Sequence, residues 1–168
     1  MPESLARAHP QRYSRGKTPD YSHDRHQLIA VSRGALVISR RDAKWVVPSG
    51  HAGWIPVNTR CALEPSGATH ASVLYLKPEI VRRARMRCDV LQMSSLLKAI
   101  VDHVVEIESL AADAPGRRLA GVLADQLDAA PSLELRLPSP QHPRAMRVAQ
   151  LLMSDPSDTL SLAALAET

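Results

Sequence analysis

Between residues 27 and 77 the chain alternates short apolar runs with turn-forming residues, a rhythm that predicts strands rather than helices. Segments 27–33 (QLIAVSR) and 35–40 (ALVISR) flank Gly34 as a tight hairpin. Arg40, Arg41 and Asp42 turn the chain into a strand at 44–47. Pro48-Ser49-Gly50 makes the next turn, because proline fixes φ and glycine accepts φ > 0. The apolar pair Trp54-Ile55 is cut off by Pro56, and Asn58 tolerates the left-handed region for a further turn. A strand at 60–63 ends in Pro65-Ser66-Gly67. Segment 70–77 (HASVLYLK) then alternates, with Ala71, Val73 and Tyr75 on one face and Ser72, Leu74 and Leu76 on the other. Strands this short and this often broken do not suit the centre of a parallel sheet. They suit an antiparallel barrel or jelly roll.

The period changes after a last short strand at 88–92. Ser94-Ser95 offers a helix cap, and Leu96, Leu97, Ile100, Val101, Val104 and Val105 follow at helical spacing. Pro115-Gly116 is a break. A second amphipathic helix at 117–129 carries Leu119, Val122, Leu123 and Leu127. Prolines 131, 138, 140 and 143 mark a linker at 131–143. A third helix is expected at 144–153, and Ser161 caps another at 162–166. Residues 1–19 lack apolar periodicity and read as a flexible leader. The fold class is therefore α+β: an antiparallel β-barrel at 20–93 followed by C-terminal helices. Neither helix fits inside a barrel filled by side chains, so both pack outside it, on each other, or on a second subunit.

Composition sharpens this only slightly. A chain of 168 residues holds one good core, and with 3% aromatics and no phenylalanine that core rests on Leu, Val, Ile and Ala. A formal net charge of +4 permits an anionic partner without requiring one. Two cysteines, Cys61 and Cys88, make no disulfide framework, and the polar, basic amino terminus has no apolar signal segment. No run nears the roughly 18 apolar residues that span a bilayer. A cytoplasmic protein with free thiols and no membrane association is the expectation.

Gly50, Pro56, Asn58 and Cys61 stand where the second motif of the cupin superfamily, G-x5-P-x-G-x-x-H, has its marked positions. Tyr21-Ser-His23-Asp-Arg-His26-Gln27 resembles the first motif in outline. Together, in this order and spacing, residues 20–80 resemble the amino-terminal sensor domain of AraC-type transcriptional regulators, a cupin-like jelly roll. The segment PRAMRVAQLLMSDPSDTLSLAALAET resembles the entry to the AraC-type DNA-binding domain, whose first helix-turn-helix element has the form L-x-x-L-A. The recognition helix that should follow is absent. Sequence-specific readout needs that helix, so the 168 residues are not expected to bind an operator alone. In this reading 94–130 is a helical dimerisation segment, with Leu97, Ile100, Val101 and Val104 on the interface of a homodimer. A helical hairpin closing the barrel of a monomer is the competing reading. Residues 144–168 are then the start of a truncated DNA-binding domain.

The resemblance also frames the chemistry. Many cupins hold a metal through two histidines, a glutamate and a third histidine. Here those positions fall on Tyr21, His23, Gln27 and Cys61, and a Tyr/His/Gln/Cys set suits no common divalent site. No metal, cofactor or catalytic residue is assigned, and no enzyme is expected, because cupin enzymes nearly all depend on that metal. His26, three residues beyond His23 on a strand, should point to the opposite face. A barrel without a metal still offers a cavity with a few polar groups. By motif position, His23, Gln27, Trp54, Cys61 and Tyr75 are the candidate ligand-binding residues. The function implied is a transcriptional regulator that senses a small-molecule effector and meets DNA only in a full-length parent. The alternative is a stand-alone cupin that binds or converts a metabolite.

Overall fold

Two antiparallel sheets lie face to face, and two helices cover the outside of the larger one. The computed structural model describes residues 4–14, 16–81, 86–138, 142 and 145. The strands are β1 (Ser4–Tyr13), β2 (His26–Arg33), β3 (Ala35–Ser39), β4 (Ala43–Pro48), β5 (His51–Ile55), β6 (Ala62–Pro65), β7 (Thr69–Leu76), β8 (Asp89–Gln92), β9 (Ser109–Ala111), β10 (Ser132–Leu133) and β11 (Arg136–Pro138). The helices are α1 (Ser95–Ile107) and α2 (Ala114–Ala129). The larger sheet has the order β10-β8-β5-β2-β7-β1-β9, the smaller β11-β4-β3-β6. This is the antiparallel architecture followed by helices that the strand rhythm predicts, laid out as the cupin resemblance implies.

The inner strands of the larger sheet serve two cores, because successive side chains point to opposite faces. Ile29, Val31, Ile55, Ala71 and Val73 point between the sheets, where they meet Leu36, Ile38, Trp45, Val47 and Leu63. Leu28, Ala30, Trp54, Leu74 and Leu76 point outward and are covered by Leu97, Ile100, Val101, Val104, Leu123 and Leu127 of the helices. The strand β2 lies mid-sheet with both faces covered, so it reads as a nearly continuous apolar run rather than an alternation. The sheets approach closely at Gly53. A Cβ there would lie 2.6 Å from Ile38 Cδ1 and 3.0 Å from Val47 Cγ2.

Several expectations need correction. Residues 4–13 are not a leader but β1, paired with β7 along its length and with β9 at its start. Apart from Leu5 its buried apolar side chains are small, Ala6 and Ala8 alternating with Arg7 and His9, so hydrophobic periodicity under-reports it. Pro10 is tolerated because β9 pairs only with Ser4–Arg7, so no second neighbour asks for its missing N–H. Pro115 and Gly116 do not break the chain. Asp113 caps α2 by accepting the Gly116 N–H at 2.8 Å, and Pro115 sits in the first turn, where no intrahelical N–H is needed. Part of the expected linker is sheet: β10 pairs with β8 and β11 with β4, so residues 132–138 bridge the two sheets.

The dimerisation residues are also corrected. Leu97, Ile100, Val101 and Val104 are at most 5% exposed and are spent on the domain's own core, which is the arrangement of the competing helical-hairpin reading. Burial of each is worth roughly 1.5–3 kcal/mol, which explains why α1 docks here. The cap at Ser94 is as anticipated, its Oγ accepting the Leu97 N–H at 3.0 Å. The expected third helix and the start of the DNA-binding domain, 144–168, lie outside the described residues apart from Ala145. Among the described residues no helix is long and apolar enough to cross a membrane.

Candidate ligand site

Register brings the first polar pair together. In the β2–β7 ladder Gln27 stands directly opposite Tyr75, and both side chains point between the sheets. The segment leading into β2 adds Tyr21, whose backbone pairs with Cys61 through N–H to O contacts of 2.9 and 3.0 Å. Tyr21 donates its hydroxyl to Gln27 Oε1 at 3.0 Å, and Gln27 Nε2 reaches the Tyr75 hydroxyl at 3.5 Å. The imidazole of His23 stands edge-on to both phenols, its ring centre 5.2 Å from Tyr21 and 4.8 Å from Tyr75. His9 of β1 stacks on Tyr75 at 5.8 Å.

Gln27 is only 3% exposed, so its amide would carry a large desolvation cost without these partners. Burial pushes the Tyr21 and Tyr75 hydroxyls above the usual phenol range, with the Cys61 thiol adding to the rise at Tyr21. Tyr13, nearby, is pushed up to about 12 by burial, with Tyr75 adding to it. Burial likewise raises the Cys61 thiol, against a hydrogen bond with Tyr21 that lowers it. At neutral pH Tyr13, Tyr21, Tyr75 and Cys61 are therefore, with Gln27, uncharged donors and acceptors in an apolar wall. That suits hydrogen-bond recognition.

Four of the five candidate residues thus belong together: His23, Gln27, Cys61 and Tyr75. Trp54 does not. It pairs with Leu28 on β2 and points to the other face, fully buried under the helices. There it stacks on His26 at 5.0 Å with an interplanar angle of 25°. Motif position cannot distinguish Trp54 from Ile55, since one step along a strand reverses the face. His26 does face away from His23's neighbours, as strand geometry requires. Tyr21 and Tyr13 were missed as lining residues, although Tyr21 occupies a marked motif position.

The cupin metal positions do not fit a metal here. Gln27 Oε1 already accepts from Tyr21, and the raised pKa of Tyr21 and Cys61 disfavours the deprotonated forms that would act as ligands. Among the described residues no three His, Cys, Asp or Glu side chains converge.

The family model for the AraC-like ligand binding domain matches residues 5–165. The chain belongs to that family. The chain is 26% identical over 140 residues to the HTH-type transcriptional regulator NimR of Escherichia coli K12, a match covering 83% of this chain and 51% of NimR. It therefore spans about half the length of that relative. Among solved structures, ToxT of Vibrio cholerae O395, bound to (E)-4-(8-methylnaphthalen-1-yl)but-3-enoic acid, superposes with a TM-score of 0.51 at 10% identity. That superposition covers 98% of this chain and 71% of ToxT. A second ToxT structure gives 0.50 at 11% identity over 98% of this chain and 70% of that one. At these identities the likeness speaks for the AraC-like fold alone.

Proposed function

We propose that the chain is the effector-sensing part of a transcriptional regulator, and that the effector is recognised at the Tyr21–Gln27–Tyr75 end of the barrel. One observation carries the placement: a hydrogen-bonded polar chain, with His23 against it, set into an otherwise apolar barrel wall. The regulatory part follows the family and the name of NimR. Effector binding would bias the arrangement of the helical layer relative to a DNA-binding module in the full-length parent. A homodimer using α1 would rely on Leu96 and Ile107, which are 50% and 42% exposed, because the inner stripe is occupied.

The test is a thermal-shift screen of the 168-residue chain against small metabolites, followed by a reporter assay with the parent regulator. A true effector raises Tm in the wild type, loses about tenfold or more in affinity when Tyr75→Phe or Gln27→Leu removes a hydrogen-bonding group, and alters reporter output. A stabilising compound whose affinity ignores both substitutions argues against this placement. A compound that the chain converts to product would favour an enzyme instead.

A further inference from the structure

A concave site opens beside the β3–β4 turn and the residue 17–20 segment. Lys17, Asp20, Ser39, Arg40, Arg41 and Arg60 line a cleft of about 580 Å³. That volume falls in the range of small-molecule sites. The sequence scattered these residues among an expected leader, the first residue of the barrel, a strand with its turn and a second strand start, so their convergence is a product of the fold. The segment is held in place by Thr18, which donates its N–H to the Leu63 carbonyl and accepts the Leu63 N–H on Oγ1, both at 2.8 Å.

The lining is unbalanced in charge and unsatisfied in hydrogen bonding. Arg40 Nε lies 3.2 Å from Asp42 and Arg60 Nε 3.6 Å from Asp20, but both carboxylates are more than half exposed, and Asp42 is shared with Arg136 at 3.9 Å. Lys17 and Arg41 have no ion pair among the described residues. Ser39 is 5% exposed, and its Oγ has no hydrogen-bond partner among the described residues, although it lines the cleft. A buried hydroxyl normally finds a partner, so one left over beside four cations calls for an acceptor.

We infer that this cleft binds a small polyanionic metabolite, one carrying a phosphate or several carboxylates, with Ser39 donating to an anionic oxygen and Arg41 and Lys17 supplying the charge. Arginine's planar fork matches such oxyanions two bonds at a time. The lining is polar rather than apolar, which disfavours a long hydrocarbon tail. Binding here does not depend on the chain's being a sensor; that the bound anion acts as an effector does rest on that reading.

The experiment is isothermal titration of the 168-residue chain at constant ionic strength with pyrophosphate, citrate and octanoate. Saturable binding of pyrophosphate or citrate, and not of octanoate, is the expected result, and the one that binds more tightly identifies the oxyanion. Arg41→Gln, at an exposed position, should weaken it about tenfold, and Ser39→Ala by a comparable factor, while Arg118→Gln on α2 leaves it unchanged. No saturable binding of either polyanion, or an equal loss in Arg41→Gln and Arg118→Gln, overturns the inference. Either result leaves the Tyr21–Gln27–Tyr75 proposal standing, since neither substitution touches it.

Discussion

Val57 donates its backbone N–H to Nδ1 of His26 at 3.1 Å, so this buried imidazole must keep that nitrogen free of a proton. The ring also hydrogen-bonds the Pro78 backbone and stacks on Trp54. Burial lowers its pKa, opposed by the Pro78 contact. The unfolded chain, with an ordinary histidine near 6.5, therefore binds a proton that the folded chain resists. Stability is fully present above that unfolded value and is lost as pH falls from it towards the depressed folded value. Urea titrations from pH 8 down to pH 5 should show this loss for the wild type and a flatter profile for His26→Gln. Equal slopes would remove His26 from the explanation.

Gly53 lets the sheets meet. Gly53→Ala places a methyl 2.6 Å from Ile38 Cδ1, an overlap expected to cost about 1–3 kcal/mol. Ile38→Val deletes that methyl, so the double variant should be less destabilised than the two single changes combined. Denaturation midpoints of the four proteins measure the coupling.

The two sides of α1 should respond differently. Val104→Ala removes methyl groups from the packed core and should lower stability by about 1–2 kcal/mol without changing self-association. Leu96→Asp, on the exposed side, should leave stability nearly unchanged. Light scattering of the full chain then reports whether the Leu96 and Ile107 stripe joins subunits: a dimer that survives Leu96→Asp uses another surface.

Both thiols should be inert in the folded protein. Burial pushes Cys88 up to about 11, against a hydrogen bond with Arg40 that lowers it, and Cys61 is raised as well. The reactive thiolate is therefore scarce at pH 7 to 8, and both sulfurs are buried. Alkylation by iodoacetamide should be slow in buffer and fast in denaturant. Rapid native labelling at Cys61 would contradict the packing at the Tyr21 bridge.

The sequence by itself determined the strand rhythm of 26–76, because Gly, Pro and Asn act locally on φ and ψ and leave their mark whatever the chain later packs against. The left-handed Asn58 and the glycine turns at Gly34 and Gly50 are local in this sense, and all three adopt positive φ. The cap at Ser94 is equally local. Only the tertiary structure decided which strands are neighbours and therefore which side chains meet. β1 was illegible because its buried residues are mostly small, and their burial comes from β7 and the helices rather than from their own hydrophobicity. Trp54 was misplaced because a face is chosen by register with β2, one residue at a time. The α1 stripe was correctly apolar, but periodicity says that a face is buried and not what covers it. The basic cleft at Ser39 joins three segments far apart in the chain, and no local pattern records an encounter made by folding.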